Sequence, residues 1–210
     1  GDNNTKNPFF DNLYRDRRDI HHDLNANLYA IVKLPFGFEY QMNFTPRYHW
    51  YEYMNHESAE HPEWAGDGGR SERKNEKTFN WQVDNILRWK KEFGEDHRVE
   101  ATFLQNAEKG QWWKTVAQNK LYSPSDILGF HNIGAGTAPS VSSEDTYKTG
   151  DALMGRLFYS FKDKYMLTAS VRRDGYSAFG SMNPHAVFPA VALGWVFTSE
   201  KFMEKTSDWL

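Results

Sequence analysis

Apolar and polar residues alternate along several stretches of this chain, and a period of two restricts those stretches to β structure. Every second residue from Leu24 to Leu34 is apolar, and polar residues such as Asn25 and Asn27 lie between them. The alternation resumes from Phe38 to Trp50, after the turn-like sequence Pro35-Phe36-Gly37. Side chains of a β-strand point alternately to its two faces, so these stretches predict a long antiparallel hairpin.

Five further strands are predicted downstream, of which the first two keep a clear alternation. They lie at about 78–90, 98–103, 151–160, 165–173 and 187–197. Strands that follow one another through short connections pair as antiparallel neighbours. The sequence therefore predicts an all-β, up-and-down arrangement.

The connections between these strands alternate between short and long. Short turns are predicted at 35–37, 93–96 and 161–164, long loops at about 54–77 and 106–148, and a moderately long loop at 175–184. Outer-membrane barrels sort their connections in this way, with short periplasmic turns and long extracellular loops. We therefore predict that the antiparallel strands form part of a large transmembrane β-barrel.

The composition agrees with strands of which only alternate residues meet lipid. Hydrophobic residues make up 39% and mean hydropathy is −0.79, yet aromatic residues reach 16%. Disordered chains are poor in aromatics, and helical membrane proteins contain apolar runs of roughly twenty residues, which this sequence lacks. A net charge of −3 provides no basic surface for nucleic acid, and the chain has no cysteine for a disulfide or a thiolate metal site.

Aromatic residues concentrate near the predicted strand ends, as they do at the membrane interfaces of barrels. The inner interface is predicted at Phe36, Phe38, Trp89, Phe93, Phe161 and Tyr165, and the outer one at Tyr48, Trp50, Tyr51, Phe79 and Trp81. The alternative is that they fill the core of a secreted β-sandwich, such as a carbohydrate-binding module. Seven strands cannot close a wide barrel, and open edges leave backbone groups unpaired in lipid, so we expect a longer parent protein.

Two stretches near the end of the sequence carry a family resemblance. Residues 165–180 read YMLTASVRRDGYSAFG, and residues 188–203 read FPAVALGWVFTSEKFM. The motifs are Gly155-Arg156-Leu157-Phe158-Tyr159, Arg172-Arg173-Asp174-Gly175, Phe188-Pro189, Leu193-Gly194-Trp195 and Ser199-Glu200-Lys201-Phe202-Met203. Their order resembles the SusC/RagA family of TonB-dependent outer-membrane transporters. The direct resemblance covers the last third of the chain.

The resemblance implies nutrient import, of oligosaccharides or peptides, across the cell outer membrane of a Gram-negative, Bacteroidetes-like bacterium. In this family a plug domain fills the barrel, a SusD-like surface lipoprotein acts as a lid and the TonB complex supplies energy. We expect residues 1–210 to be a partial receptor barrel without the plug domain and without the C-terminal end of the barrel. The implied partners are the SusD-like lipoprotein, the TonB complex through other parts of the receptor, the substrate and outer-membrane lipid.

Four residues are weak candidates for substrate binding. Trp112, Trp113 and Tyr122 lie in the longest predicted loop, where they either stack on sugar rings, touch the lid protein or pack within the loop. Arg172 has the register of the pore face. It either binds an anionic substrate or forms a local ion-pair cluster with the two residues after it.

Other polar clusters predict no chemistry. His21 and His22 invite a metal, but neighbours on a strand point to opposite faces and cannot share one ion without a bulge. Acidic pairs such as Glu144-Asp145 lack any feature that sets the separation of glycosidase carboxylates. We therefore expect no metal, no cofactor and no enzyme activity.

Overall fold

Eight strands of one sheet make up most of the chain. The computed structural model describes residues 8–177 and 185–206. Its strands are β1 (Arg15–Asn25), β2 (Leu28–Lys33), β3 (Phe38–Glu57), β4 (Arg70–Phe93), β5 (His97–Lys120), β6 (Ser140–Phe161), β7 (Tyr165–Tyr176) and β8 (His185–Trp195). Their order is β1-β3-β4-β5-β6-β7-β8, with β2 also paired to β3. From β3 onwards each strand neighbours the next in sequence, which confirms the predicted antiparallel up-and-down fold.

Helical segments are short. One α-helix, α1, spans Pro8–Tyr14, and 3₁₀ segments lie at Pro35–Gly37, Ala65–Asp67, Gly129–Ala135, Phe197–Ser199 and Lys201–Thr206. Within residues 8–177 and 185–206, no helix combines the length and the apolar character needed to cross a membrane.

Strands β1 and β2 share the partner strand β3. The β1 register runs from the pair Arg15–Glu57 to Asn25–Arg47, and the β2 register starts with the pair Leu28–Phe44. The predicted first strand begins at Leu24, so it includes only the last two residues of β1. Its sequence RDRRDIHHDLN is polar at nearly every position, so it shows no hydrophobic period.

Three tight turns join the hairpins at the predicted places, at residues 34–37, 94–96 and 162–164. In the first of them Gly37 has φ +85°, and a Cβ on it would overlap the carbonyl oxygen of Lys90. Glycine suits this position because it adopts a positive φ readily and has no side chain to displace the neighbouring strand.

Both long loops are shorter than the sequence predicts. The first comprises residues 58–69 and not 54–77, and the second comprises 121–139 and not 106–148. The strands therefore continue well past their apolar stretches.

Two of the added strand segments, in β4 and β6, are polar at most positions on both faces. The first eight residues of β4 read RSERKNEK, and the first ten of β6 read SVSSEDTYKT. Hydrophobic alternation cannot reveal a strand in which neither face is apolar. The predicted connection at 175–184 lies largely outside the described residues.

The chain divides into two compact units. The loop-end unit comprises Gly1–Asn25, Arg47–Asn80 and Gln111–Tyr147, and it contains both long loops. The turn-end unit comprises Ala26–Pro46, Trp81–Gly110 and Lys148–Leu210, and it contains all three tight turns.

Apolar side chains are mostly exposed in both units. Among the described residues only Phe130 and Ala152 are buried hydrophobic residues, whereas Leu28 is 58% exposed and Leu193 is 83% exposed. A soluble two-layer sandwich would bury such side chains, because their removal from water drives folding. The secreted β-sandwich that the sequence left open does not fit this arrangement.

Candidate functional site

One face of the turn-end unit is predominantly apolar. The pairing of β6, β7 and β8 sets side chains of this face in rows: Leu157, Ala169 and Val191, then Tyr159, Leu167 and Leu193. Between Phe38 on β3 and Val191 on β8 lies an open apolar groove of about 530 Å³. An exposed surface of this kind on several adjacent strands is typical of a wall that meets lipid.

Aromatic and polar side chains border this apolar face next to the tight turns. Phe38 and Trp89, both predicted at the inner aromatic interface, have ring centroids 6.2 Å apart. The Tyr165 hydroxyl and the Trp195 indole N–H both donate to Oε1 of Glu200, which lies beyond β8. The hydrogen bond from Tyr165 has the largest effect on Glu200 and lowers the pKa of its carboxyl. The hydrogen bond from Trp195 and the nearby Lys164 ammonium lower this pKa further.

The opposite face of the turn-end unit carries a network of charged and amide side chains. Arg88 Nη1 donates to Glu39 Oε1 at 3.1 Å and to Gln41 Oε1 at 2.7 Å. Asn106 Nδ2 donates to Asp84 Oδ1 at 2.7 Å. Such satisfied groups hold one another in fixed positions while keeping the surface polar.

A polar cavity of about 280 Å³ lies on the same network-bearing face. Its lining comprises Arg98, Glu100, Thr102, Arg156 and Phe158. The Arg98 guanidinium lies 5.6 Å from the centroid of the Phe158 ring and 3.8 Å from a Glu100 oxygen. The cavity therefore presents two cations and one anion, which suits a polar or charged solute.

The loop-end unit has its own ladder of polar side chains, on β1 and β3. The Tyr51 hydroxyl donates to Asp19 at 2.8 Å, and the His21 ring stacks on Tyr51 with centroids 4.6 Å apart. His49 Nδ1 lies 2.7 Å from Asp23. Tyr51 was predicted in the outer aromatic interface, but it lies in this polar ladder because its neighbour Trp50 takes the other face.

The two adjacent histidines point to opposite faces, as predicted. His21 pairs across the sheet with Tyr51, and His22 pairs with Trp50. Within the described residues no three histidine and acidic side chains come together as a metal site.

A small polar core holds the two long loops. His56 Nδ1 lies 2.9 Å from the hydroxyl of fully buried Ser71, and His56 Nε2 lies 3.5 Å from Asp126. The Tyr122 ring packs edge-on against that of His56, and burial raises the pKa of the Tyr122 phenol. Phe130 is 1% exposed and is the main apolar residue of this core.

The four predicted substrate-binding residues are not brought together. Trp112 and Trp113 lie within β5 and not in a loop, and as neighbours on a strand they take opposite faces. Tyr122 does lie in the second long loop, where it packs as described above. Arg172 lies on β7, in the other unit.

The local ion pair expected at Arg172 forms with only one of its neighbours. The Arg172 Nε donates to both carboxylate oxygens of Asp174, at 2.8 and 3.0 Å. Arg173 is paired with Leu153 and Val187, on the other face, and takes no part. A role of these residues in substrate binding stays a prediction.

The residues of the Arg88 network were not predicted individually. Arg88, Glu39 and Asp84 occupy polar positions of alternating strands, and nothing else in the sequence marks them. Their signal is the alternation itself, because the polar positions of β3, β4 and β5 converge on one face once the strands pair.

Comparison with known proteins decides the family. The family described as TonB dependent receptor-like, beta-barrel, matches residues 1–202. The chain belongs to this family. It is a fragment of a TonB-dependent β-barrel, and members of this family are outer-membrane transporters.

The relatives of this receptor barrel include TonB-dependent receptor P26 of Formosa agariphila, 29% identical over 144 residues that cover 67% of this chain. TonB-dependent receptor SusC of Bacteroides thetaiotaomicron is 31% identical over 100 residues, which cover 46% of this chain. These stretches are 14% and 8% of the two relatives, so the chain spans a small part of each.

Solved structures agree on the fold. The RagAB peptide transporter superposes with a TM-score of 0.84 at 19% identity, over 94% of this chain and 22% of that chain. The RagAB peptide importer in its open-open state gives a TM-score of 0.82 at 18% identity. The chain therefore has the fold of part of a RagA-type barrel.

Proposed function

We propose that this chain is a stretch of barrel wall in a transporter that imports oligosaccharides or peptides across the outer membrane of a Bacteroidetes-like bacterium. The observation that carries the proposal is the division of the turn-end unit into an apolar and a polar face. The apolar face bears Leu157, Leu167 and Leu193, which meet lipid. The polar face bears the Arg88 network, which meets the aqueous pore.

The loops and turns support an orientation for this wall. All three tight turns lie in one unit and both long loops in the other. Short turns of outer-membrane barrels face the periplasm and long loops face the outside. We assign the loop-end unit to the cell surface on this basis.

The pore side offers contacts for a hydrated substrate. The cavity at Arg98, Glu100 and Arg156 presents both charge signs and one aromatic ring, which suits a zwitterionic peptide or a hydroxylated sugar. Trp112 and Arg172 belong to the same proposal as weaker candidates. Such contacts orient a solute without holding it tightly, because salt and water screen exposed charges.

A SusD-like surface lipoprotein is the partner that we propose at the loop end. The similarity to SusC and to a RagAB structure supports this pairing. Affinity purification of the tagged full-length receptor from its native membrane should recover such a lipoprotein in near-equal amount. Purification of the receptor alone, under conditions that keep it folded, would rule out a stable pair.

Growth on defined nutrients tests the import function. Deletion of the full-length receptor gene should slow growth on either oligosaccharides or peptides as the only carbon source, while growth on glucose stays normal. A plasmid copy should restore growth. Normal growth of the deletion strain on both nutrient classes, or recovery of the receptor in the cytoplasmic fraction, would overturn the proposal.

A further inference from the structure

A second groove lies in the loop-end unit, apart from the polar face. We name it the Trp50 groove; it encloses about 790 Å³ and is lined by Tyr48, Trp50, Glu52, Lys77, Trp113 and Asp145, among others. This volume lies within the roughly 300–1,000 Å³ of typical small-molecule sites. The groove plays no part in the import path proposed above.

Tyr48, Trp50 and Glu52, which line the Trp50 groove, alternate on β3 with the residues of the polar ladder. Tyr48 pairs with Leu24, and its ring lies 5.8 Å from that of Phe79, so it lies among apolar side chains. Tyr51 of the polar ladder, which is hydrogen-bonded to Asp19, also contributes to the lining. The groove therefore lies mainly on the face of β3 opposite the polar ladder, which the proposed orientation assigns to the outside of the barrel.

The lining combines flat aromatic rings with hydrogen-bonding groups. Tyr48 and Trp50 have ring centroids 4.0 Å apart, and Trp50 is 40% exposed, so its ring is available to a ligand. Glu52, Lys77 and Asp145 supply charged acceptors and donors around the rings. A sugar site needs aromatic rings and hydrogen-bonding groups together, because the C–H faces of a sugar pack on the rings while its hydroxyls form hydrogen bonds.

We propose that the Trp50 groove binds the sugar headgroup of a glycolipid from the outer leaflet. This assignment rests on the proposed orientation, in which the loop-end unit faces the cell surface. A groove on the outward face is out of reach for a solute inside the pore but open to the surrounding leaflet. Leu24, which is 64% exposed, and Phe79 lie beside it and provide an apolar track for the acyl chains.

Glycolipid retention tests the Trp50 groove. Full-length receptor purified in mild detergent should carry lipopolysaccharide detectable by mass spectrometry, and Trp50→Ala/Trp113→Ala should reduce it about tenfold. Trp112→Ala is the matched control, because Trp112 is next to Trp113 on the opposite face. It should retain glycolipid like the unmodified receptor. Equal retention by the double variant and the unmodified receptor would overturn the proposal.

Binding of added saccharides separates the two sources of sugar. Delipidated receptor should bind rough lipopolysaccharide at least about tenfold more tightly than the free core oligosaccharide released from it, since the acyl chains add apolar contacts. Equal affinity for the two would make the ligand a soluble saccharide and overturn the glycolipid assignment.

Nutrient uptake distinguishes this proposal from the import function. The double variant should reach the outer membrane in normal amounts and support normal growth on the imported nutrient. Slow growth with unchanged glycolipid retention would place the groove in the import path and overturn the assignment. Glycolipid loss in a receptor whose deletion affects no nutrient would leave the groove supported and the import function refuted.

Discussion

At Gly37 the backbone conformation and a neighbouring strand both restrict the sequence. Its φ is +85°, and a Cβ would overlap the carbonyl oxygen of Lys90. Gly37→Ala should destabilise the full-length receptor by at least about 1 kcal/mol, because conformation and space both disfavour a side chain. Gly155→Ala is the matched control, since nothing lies within 4 Å of a Cβ there. Equal urea midpoints for the two variants in detergent would contradict this explanation.

A chain of side-chain hydrogen bonds interrupts the apolar face. The Tyr40 hydroxyl donates to Asn85 Oδ1 at 2.6 Å, and Asn85 Nδ2 donates to Gln105 Oε1 at 2.6 Å. Tyr40 lies on the apolar side, since it pairs with Val32. Asn85→Ala should cost roughly 1–3 kcal/mol, because lipid offers no water to replace the lost partner.

Removal of all three polar groups provides the control for this chain. The triple variant Tyr40→Phe, Asn85→Leu and Gln105→Leu leaves no unpaired group, so it should be more stable than Asn85→Ala alone. Urea titration of both receptors in detergent compares them. A triple variant less stable than the single one would mean that the hydrogen bonds themselves, and not the unpaired groups, decide stability.

Among the larger elements, loop 121–139 buries one large apolar side chain. Phe130 is 1% exposed, with the Arg18 guanidinium 5.3 Å from its ring centroid. Phe130→Ala should remove about 3–5 kcal/mol of local stability and open the loop. Ile127→Ala is the control, because Ile127 is 85% exposed in the same loop. Proteinase K applied to intact cells should cleave Phe130→Ala receptor faster, and equal cleavage of both variants would refute this role.

The elements also show where sequence reasoning works and where it fails. The hairpins at Pro35, Gly94 and Lys162 follow from alternation and turn residues, and the structure has them. The outer parts of β4 and β6 are polar at most positions on both faces, and that of β5 has two adjacent tryptophans, so no period of two marks them and the loops were predicted too long. The candidate site residues stay a prediction, because a site is made by the pairing of strands far apart in sequence, as in the contact of Arg88 with Glu39.

At the scale of the whole molecule, many apolar side chains of the described residues are exposed and few are buried. Leu167 is 39% exposed and Leu193 is 83% exposed, although both belong to regular paired strands. In water such a surface associates with itself, whereas in a bilayer it meets acyl chains at no cost. The distribution of apolar residues thus makes sense only if the two faces of the sheet meet different solvents.

Cysteine labelling measures that difference in solvent directly. The chain has no cysteine, so an introduced thiol adds one new signal to the background of the unmodified receptor. Arg156 lines the polar cavity and Leu157 lies in the apolar rows, although they are neighbours on β6. In purified outer membranes, a water-soluble maleimide should label Arg156→Cys at least about tenfold faster than Leu157→Cys. The reason is that the reactive thiolate forms in water and not in lipid. Equal labelling rates would mean that both faces meet water. Contact with lipid would then not explain why Leu157, Leu167 and Leu193 are exposed.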